Sequence, residues 1–589
     1  MENVQRHPGA GLPSEGRSFR AFLQRARDWL FAPQRIDATI SALIFIAFFA
    51  VRLPFQSRYP VNWDAVQFVL GTQAFDLTGH QPHPPGYIGY ILLGRIMNFV
   101  TGDPNTSLTL ISVIGGAVAP AALYRLALYF MSRGLAIMTA IAFGSSMLVW
   151  YYSEVALTYS VELALSLLVL WMAYRALHSL QPGDLYTATL LLSLLGAMRQ
   201  SALLILVPVW LYVIWRYPRR TGVISIGLMG VATLAWLGPL LWLAGGPLTY
   251  LRESRALADL VGSNASFLSI NPGGMAQSFA FVTVGLVLGA NLGLLIFLIA
   301  RRRTQRFWNR FNRREQLFFG LWAVPALFTF LIGHTGQVGY VLVILPIPYI
   351  WMGMALATLQ QRRQRADKDN HATYRAIVGK WVPIGIVLAF AIINSIGFVV
   401  VPRGINSATP DSVPFDTRQF DIGANDAHWS EMTEVINQYE PDATAILTTI
   451  GGPRVSGSFR HLSYLVPEYK TYGLGKDRDD KAFGPLFVSQ NGVSDYSVEG
   501  MDRAAQRLPL DRNVQYLIIP DERVIERIEI DATSYTTELS DGTEVLIVLT
   551  EPETTLVFDE EDGTITREGS LPYSVPPVAG PDEKESREG

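Results

Sequence analysis

The feature that most constrains the fold is a series of long apolar runs through residues 1–400, each close to the length of a membrane span. A helix needs about 20 residues to cross the hydrocarbon core of a bilayer. By this criterion the sequence predicts about eleven spans, at residues 37–54, 107–130, 134–152, 156–177, 185–200, 202–216, 221–244, 277–300, 316–333, 338–358 and 379–401. We therefore expect a polytopic α-helical membrane protein.

Charge divides the chain into two parts. Residues 1–400 hold 31 Lys and Arg against 15 Asp and Glu, whereas residues 401–589 hold 16 against 35. Overall, 50% of the residues are hydrophobic and 16% are charged, which is too apolar for an ordinary soluble enzyme. A basic membrane part should therefore be followed by an acidic, water-soluble part.

The arginine clusters predict the orientation, because basic loops remain preferentially in the cytoplasm. With these spans, every cluster falls on the side of the N-terminus: Arg17, Arg20, Arg25, Arg27 and Arg35, then Arg216, Arg219 and Arg220, then Arg301–Arg303, Arg306, Arg310, Arg313 and Arg314, and finally Arg362, Arg363 and Arg365. We expect a cell-membrane protein with a cytoplasmic N-terminus. Its extracytoplasmic parts would be the loops 55–106 and 245–276, the turn 333–338 and everything after about residue 401.

The domain organisation follows from these patterns. We expect a cytoplasmic basic N-terminus (1–36), a transmembrane domain (37–401), an extracytoplasmic α/β domain (402–569) and a disordered tail (570–589) rich in Pro, Glu and Ser. The first span should be retained, since no small-residue cleavage pattern follows it. Within the α/β domain, short apolar runs predict strands at 445–450, 515–520 and 543–550, and helical spacing predicts helices at 428–439 and 499–508.

Composition also removes several kinds of chemistry. The chain has no cysteine, which excludes disulfides, thiolate metal sites and a cysteine nucleophile. It has no glycine-rich phosphate loop of the P-loop or dinucleotide type, so any transferred group should arrive on an already activated donor. We predict no cofactor, although a divalent metal is not excluded, and no nucleic-acid partner.

The loop 55–106 contains the most informative short segments, Asn62–Gln67 and His83-Pro84-Pro85-Gly86-Tyr87. Its apolar content predicts two amphipathic helices lying along the membrane surface, the second beginning at the proline pair. Ionisable groups at a membrane edge must be solvated, paired or used. Asp64 is therefore either a catalytic base or only a helix N-cap or loop acid.

These segments resemble the first outward loop of the GT-C class of membrane glycosyltransferases, most closely the group of protein O-mannosyltransferases and lipid A aminoarabinose transferases. Residues 144–162, with Ser153, Glu154 and Tyr159, resemble a second outward loop of that group, and Gly339–Pro346 resembles a late span. The resemblance covers roughly residues 37–360 and is strongest in its first third.

The resemblance implies transfer of a sugar from a polyprenyl-phosphate carrier to a glycan, lipid or protein acceptor outside the cytoplasm. It also implies that a carboxylate of the first loop acts as general base, and only Asp64 matches that position. Where related proteins often carry a Glu three residues later, this chain has Gln67, which can form hydrogen bonds but cannot accept the proton. This difference argues against a two-carboxylate mechanism and against a metal site in this loop.

Several further residues are predicted to bind the substrates, together with membrane lipids around the spans. A leaving lipid phosphate needs positive charge or hydrogen-bond donors rather than a strong acid. Each candidate also has a structural interpretation: His83 can pack and cap, Glu154 can be a solvated loop acid, and Arg199 can extend to the lipid headgroups. The predicted substrate-binding residues are Gln67, His83, Arg95, Glu154, Arg199, Gln200, His334 and Gln337, with Arg252 and Arg255 as further cations.

Segment 458–469 contains Arg460 and His461, which could reach a phosphate. A surface helix in a stabilising domain is the interpretation that we favour for this segment. Two other functions remain open for the chain, a transporter or flippase of lipid-linked sugars and a non-catalytic scaffold of the cell envelope. The sequence shows no clear internal symmetry of the kind transporters often have, and a scaffold leaves Asp64 without a role. A membrane glycosyltransferase is the function that the sequence predicts best.

Overall fold

The computed structural model describes residues 33–265, 272–303, 312–333, 337–370, 373–399, 419–450, 459–476, 483–490, 493–495, 507–530, 532–559 and 564–568. The chain forms two compact units. The first, here called the membrane unit, comprises residues 1–58 and 68–423, and the second, the C-terminal unit, comprises residues 59–67 and 424–589. The segment that contains Asp64 therefore belongs to the C-terminal unit, although it is more than 350 residues away in sequence.

The described residues of the membrane unit are mainly helical, with an isolated β-bridge between Asp76 and Gln81. Its helices are α1 (Pro33–Arg52), α2 (Trp63–Gln73, which begins in the C-terminal unit), α3 (Ile88–Thr101), α4 (Pro104–Ala127), α5 (Arg133–Gly144), α6 (Met147–Tyr151), α7 (Tyr159–Ser179), α8 (Pro182–Met198), α9 (Ser201–Ile214), α10 (Arg219–Leu243), α11 (Pro247–Ala265), α12 (Pro272–Arg303), α13 (Arg313–Phe328), α14 (Pro346–Asn370) and α15 (Thr373–Val399). A π-helical turn (Thr329–Gly333) and a 3-10 helix (Val338–Val343) lie between α13 and α14.

Local sequence signals define several of these helix ends. Asp103 accepts a hydrogen bond from the Thr106 amide at 2.6 Å, and Pro104 occupies the first turn of α4, where it costs no helical hydrogen bond. Helix α13 begins with a capping box formed by Asn312 and Glu315. These contacts satisfy backbone amides that a helix start would otherwise leave unpaired.

Helix α4 is central to the packing of the membrane unit. It packs against α1, α3, α5 and α7, and most of its side chains are buried. A Cβ atom on Gly115 would lie 2.9 Å from the backbone carbon of Ser160, so the glycine permits a close approach of α4 and α7. The small residues of α4 thus decide how tightly these two helices pack.

Four described helices are long and apolar enough to cross a membrane: Gln34–Phe55, Pro104–Ala127, Tyr159–Ser179 and Arg219–Leu243. Shorter apolar helices occur at Ile88–Thr101, Arg133–Gly144, Ser201–Ile214, Ser278–Asn291 and Ile384–Val399. These helices confirm a predominantly helical membrane protein, while the number of eleven spans and their orientation stay predictions. The proposed break between two spans at Arg199-Gln200 is present, since α8 ends at Met198 and α9 starts at Ser201.

The strands of the C-terminal unit form two sheets, and helices lie between them in the sequence. Its elements are α16 (Gln419–Ile436), β1 (Thr444–Thr449), α17 (Phe459–Leu465), β2 (Lys470–Lys476), β3 (Phe483–Gln490), β4 (Val493–Asp495), β5 (Arg507–Pro509), β6 (Tyr516–Ile519), α18 (Glu522–Ile525), β7 (Ile528–Glu529), β8 (Ser534–Glu538), β9 (Glu544–Leu549), β10 (Thr555–Phe558) and β11 (Ile565–Glu568). The first five residues of α16 fall in the membrane unit.

The larger sheet has the order β4-β3-β2-β1-β6-β9-β8, in which β1 runs parallel to β2 and β6 and the outer pairs are antiparallel. Its two faces are both buried. Ala445 and Leu447 pack on one face with Leu517, whereas Ile446 packs on the other with Trp429 of α16. Burial on both faces explains the continuous apolar run of β1. A second sheet has the order β5-β10-β11-β7.

The three strands predicted from the sequence are confirmed as β1, β6 and β9, and the helix predicted at 428–439 is part of α16. The helix predicted at 499–508 is wrong at its described end, where Arg507–Pro509 pairs as β5 with β10. The surface helix expected in segment 458–469 is also corrected, because α17 is buried. The basic N-terminus 1–32 and the tail 570–589 lie outside the described residues.

Candidate functional site

Asp64 lies in the first turn of α2, within the C-terminal unit, and is half-buried. The preceding Asn62 fixes this turn, since its side-chain oxygen accepts a hydrogen bond from the Ala65 amide at 3.0 Å and its backbone carbonyl accepts one from the Val66 amide at 3.1 Å. Asn62 therefore caps this turn, a role that the sequence left open for Asp64. A carboxylate in a first turn is also favoured by the helix dipole.

Gln67 follows Asp64 by three residues of the same helix, so the two side chains lie on neighbouring positions of one helix face. Its side chain is fully buried, and neither amide atom has a hydrogen-bond partner among the described residues. A buried amide without partners is costly, and most are satisfied in native proteins. Gln67 therefore has unused hydrogen-bonding capacity one turn from Asp64.

Two residues of α17 contact the segment that leads into α2. The Arg460 guanidinium lies over the Trp63 ring, 4.9 Å from its centroid, and His461 Nε2 is 3.1 Å from the Pro60 carbonyl oxygen. His461 also stacks on Trp429, with centroids 4.6 Å apart and an angle of 2° between the rings. Burial lowers the pKa of His461 to about 3, so the imidazole is neutral at physiological pH and donates to Pro60.

In the membrane unit, His83 belongs to a turn before α3 and not to the helix itself. Helix α3 begins at Ile88, so the helix start expected at Pro84-Pro85 is wrong by about one turn. The His83 Nε2 and Tyr87 hydroxyl are 3.3 Å apart, and both rings pack on Phe68. Tyr87 has a left-handed backbone conformation (φ 42°), which ends the turn and starts the helix.

The same unit contains a buried ion pair between Arg199 and Glu162, next to the rings of two tyrosines. Arg199 Nε is 3.2 Å from a carboxylate oxygen of Glu162, and the two side chains are 7% and 5% exposed. The guanidinium also lies 4.5 Å from the Tyr159 ring centroid and 4.8 Å from that of Tyr340. Arg199 is therefore enclosed inside the unit and does not extend to the lipid headgroups. The charge is balanced by Glu162 and the flat guanidinium is held between aromatic rings.

Gln200 connects this ion pair to the His83 turn. Its Nε2 donates to the Pro85 carbonyl at 3.3 Å. Next to it, a Cβ atom on Gly89 would lie 2.9 Å from the backbone of Ala197, so the start of α3 and the end of α8 are in close contact. The structure thus brings Gln200 to the turn that contains His83, while the adjacent Arg199 lies between the rings of Tyr159 and Tyr340.

The other predicted residues have different surroundings. Arg95 donates to the carbonyls of Thr72 at 2.9 Å and Gly71 at 3.2 Å, at the end of α2. Gln337 immediately precedes the 3-10 helix that contains Tyr340, and His334 lies outside the described residues. Arg252 pairs with its neighbour Glu253 at 3.0 Å.

Glu154 is fully buried, so the interpretation as a solvated loop acid is wrong. It lies within electrostatic range of Arg52, which is also fully buried and donates to the carbonyls of Gly116 and Gly144, the latter at 2.8 Å. Neither carboxylate oxygen of Glu154 has a hydrogen-bond partner among the described residues. The Arg52 charge therefore offsets part of the cost of burying this acid.

Sequence reasoning missed Glu162 and Arg52, which pair with or face two predicted residues. Both carried a signal, because each is a charged residue inside or at the end of an apolar run. Among the residues that the structure describes, no three His, Asp or Glu side chains form a group that could hold a metal ion.

No family model and no curated protein matches the chain. It is similar to the crystal structure of ArnT from Cupriavidus metallidurans bound to undecaprenyl phosphate, with 13% identity, coverage of 87% of this chain and 97% of ArnT, and a TM-score of 0.51. The apo structure of the same ArnT gives 12% identity, coverage of 89% and 98%, and a TM-score of 0.52. The resemblance to the GT-C class is thus confirmed for the fold.

Proposed function

We propose that this chain is a membrane glycosyltransferase that moves a sugar from a polyprenyl-phosphate carrier to an acceptor outside the cytoplasm. The observation that carries the proposal is the similarity to ArnT over nearly the whole length of both chains, in a structure where ArnT holds undecaprenyl phosphate. That similarity extends over both the membrane unit and the C-terminal unit. The identity is too low to transfer a specific sugar or acceptor.

Asp64 would be the general base of this reaction. An acceptor hydroxyl has a pKa of roughly 15 and attacks an anomeric carbon poorly unless a positioned carboxylate accepts its proton. Asp64 is half-buried and sits on a helix turn that Asn62 already caps, so its carboxylate is not needed for that structural role. Its position in the first outward loop is the one that the GT-C resemblance assigns to the base.

Gln67 would hydrogen-bond the acceptor or the sugar beside Asp64. Both of its amide atoms are buried without a partner among the described residues, and it lies one turn along the same helix. An amide can donate to one hydroxyl and accept from another, but it cannot take up the proton. This arrangement supports a mechanism with one carboxylate in this loop.

The leaving lipid phosphate needs positive charge, and two of the predicted arginines, Arg95 and Arg199, differ in the charge that they can supply. Arg199 is paired with Glu162, so the pair is electrically neutral. Arg95 donates only to carbonyls, and no carboxylate pairs with it among the described residues, so its charge is not compensated. Arg95 is therefore the better candidate for the phosphate, while the neutral side chain of Gln200 at the His83 turn suits sugar hydroxyls.

The direct test uses purified full-length protein in lipid nanodiscs with polyprenyl-phosphate sugars, measuring sugar transfer or release. Asp64→Asn should lower kcat by about 10²- to 10⁴-fold, the usual contribution of a general base, with donor binding largely retained. Glu434→Gln is the matched control, since Glu434 is an exposed carboxylate of the same unit, and it should leave the rate unchanged.

Normal transfer by Asp64→Asn would refute the role of this residue. Movement of lipid-linked sugar across the membrane without any transfer would instead favour a flippase.

A further inference from the structure

The segment 59–67 is held by the C-terminal unit through contacts that span some 400 residues of sequence. The Tyr59 amide donates to Asp426 Oδ1 at 3.1 Å, and the Tyr59 ring packs against the core around Trp429. His461 donates to the Pro60 carbonyl at 3.1 Å, across 401 residues of sequence. These contacts fix the chain immediately before α2.

The contacts from α17 involve polar groups that are expensive to bury. Arg460 is 4% exposed and His461 is 0% exposed. Burying a guanidinium or an imidazole costs free energy unless its polar atoms find partners, and a leucine at either position would avoid that cost. Here both side chains face segment 59–67, Arg460 over the Trp63 ring and His461 at the Pro60 carbonyl. Their burial is thus linked to this segment.

Trp63 and Asp64 are neighbours in the first turn of α2. The arginine restrains Trp63 from one side, and the Asn62 side chain fixes the Ala65 amide on the other. The backbone that carries the Asp64 carboxylate is therefore restrained on both sides. Such restraint matters in catalysis, because a displacement of about 1 Å can lower a rate by roughly 10²-fold.

We infer that Arg460 and His461 are positioning residues: they hold Trp63 and Pro60, and thereby orient the Asp64 carboxylate. The inference rests on the proposed function of Asp64. It gives the C-terminal unit a part in the reaction, since the helix α17 acts on the base through its neighbours without touching the substrate.

The experiment measures steady-state kinetics and hydrogen exchange on the full-length protein in nanodiscs. Arg460→Ala should lower kcat by about 10- to 100-fold with little change in KM for the lipid donor, because the base is displaced while donor contacts remain. Arg460→Lys keeps a cation for the Trp63 ring and should recover part of the loss. Arg512→Ala is the matched control, since Arg512 is 84% exposed and pairs at the surface with Glu553.

Hydrogen exchange gives a readout that does not depend on activity. The amides of Ala65 and Val66, which bond to Asn62, should exchange faster in Arg460→Ala, while those of the strand β1 should keep their protection. If Arg460→Ala fails to fold, Trp63→Leu removes the aromatic partner of the same contact. This variant should also lower kcat and speed up exchange of the Ala65 and Val66 amides.

Unchanged exchange at Ala65 and Val66 in the folded variant would overturn the inference, as would a normal kcat in an active enzyme. If the wild-type protein transfers no sugar, the proposed function fails. The exchange measurement then still decides whether Arg460 holds the segment.

Discussion

At the scale of single residues, the membrane unit contains charges where a bilayer protein can least tolerate them. Glu162 and Arg199 form a contact pair, and Arg52 faces Glu154. Replacing either partner by an apolar residue would leave the other buried and uncompensated, which typically costs about 3–5 kcal/mol. These residues are thus tied to each other energetically, and Arg199 also connects to the predicted substrate residues through its neighbour Gln200.

His461 makes the stability of the C-terminal unit dependent on pH. Burial lowers its pKa to about 3 from an ordinary value of 6.5, so between these values the unfolded chain binds a proton that the folded unit does not. Its contribution to stability is therefore complete above about pH 6.5 and is lost as the pH falls toward 3. The loss should reach at most about 1.4 kcal/mol per pH unit.

The prediction is tested by hydrogen exchange of the β1 amides at several pH values between 3 and 6.5. After correction for the intrinsic exchange rate, these data give the free energy of unfolding that exposes β1. His461→Gln does not titrate and retains an amide donor for Pro60, so its stability should fall less steeply over the same range. Parallel profiles for the two proteins would show that His461 is not the responsible group.

At the scale of elements, the packing of α4 on α7 depends on one position. A Cβ atom on Gly115 would approach the backbone of Ser160 to 2.9 Å, and backbone cannot move aside as a flexible side chain can. Gly115→Ala should therefore destabilise the membrane unit by about 1–3 kcal/mol, the usual cost of overpacking. A lower midpoint of thermal unfolding in detergent, followed by circular dichroism, is the expected result.

Gly227→Ala is the control for that change, since Gly227 is also within a helix but has nothing within 4 Å of the position that an added Cβ atom would take. It should be neutral or stabilising by up to about 1 kcal/mol through helix propensity. Equal midpoints for both variants would mean that α4 and α7 have room to separate.

Elements also differ in how well a sequence predicts them. The strands β1, β6 and β9 were predictable because both faces of their sheet are buried and their runs are continuously apolar. The start of α3 was misplaced, because the left-handed turn at Tyr87 lies between the prolines and the helix. The strand β5 at Arg507–Pro509 is only three residues long and exists through its pairing with β10, which no local signal indicates.

At the scale of the whole molecule, the predicted orientation can be tested by labelling single introduced cysteines. The chain has no cysteine of its own, so no native thiol would react with the label. Ser534→Cys places a thiol on an exposed position of β8, and Arg219→Cys places one at the exposed start of α10. In intact cells, a membrane-impermeant maleimide should label the first and not the second, because the arginine clusters predict a cytoplasmic location for α10's start. If only Arg219→Cys were labelled, the topology would be the reverse of the predicted one.

The class of molecule was evident in the sequence. Its long apolar runs predict membrane-spanning helices, because a helix pairs its backbone polar groups internally where lipid offers no partners, and its arginine clusters predict their orientation. It also singled out Asp64, His83, Arg199 and Gln200 as separate candidates. Which of these residues lie together could be seen only in the three-dimensional structure. It joined Arg199 to Glu162 and Gln200 to the His83 turn, and it assigned residues 59–67 to the same unit as α17. The contact between His461 and Pro60 joins residues 401 positions apart and depends on how whole elements pack. The spacing of apolar residues in a single sequence indicates helices and strands, but it does not indicate which of them pack together.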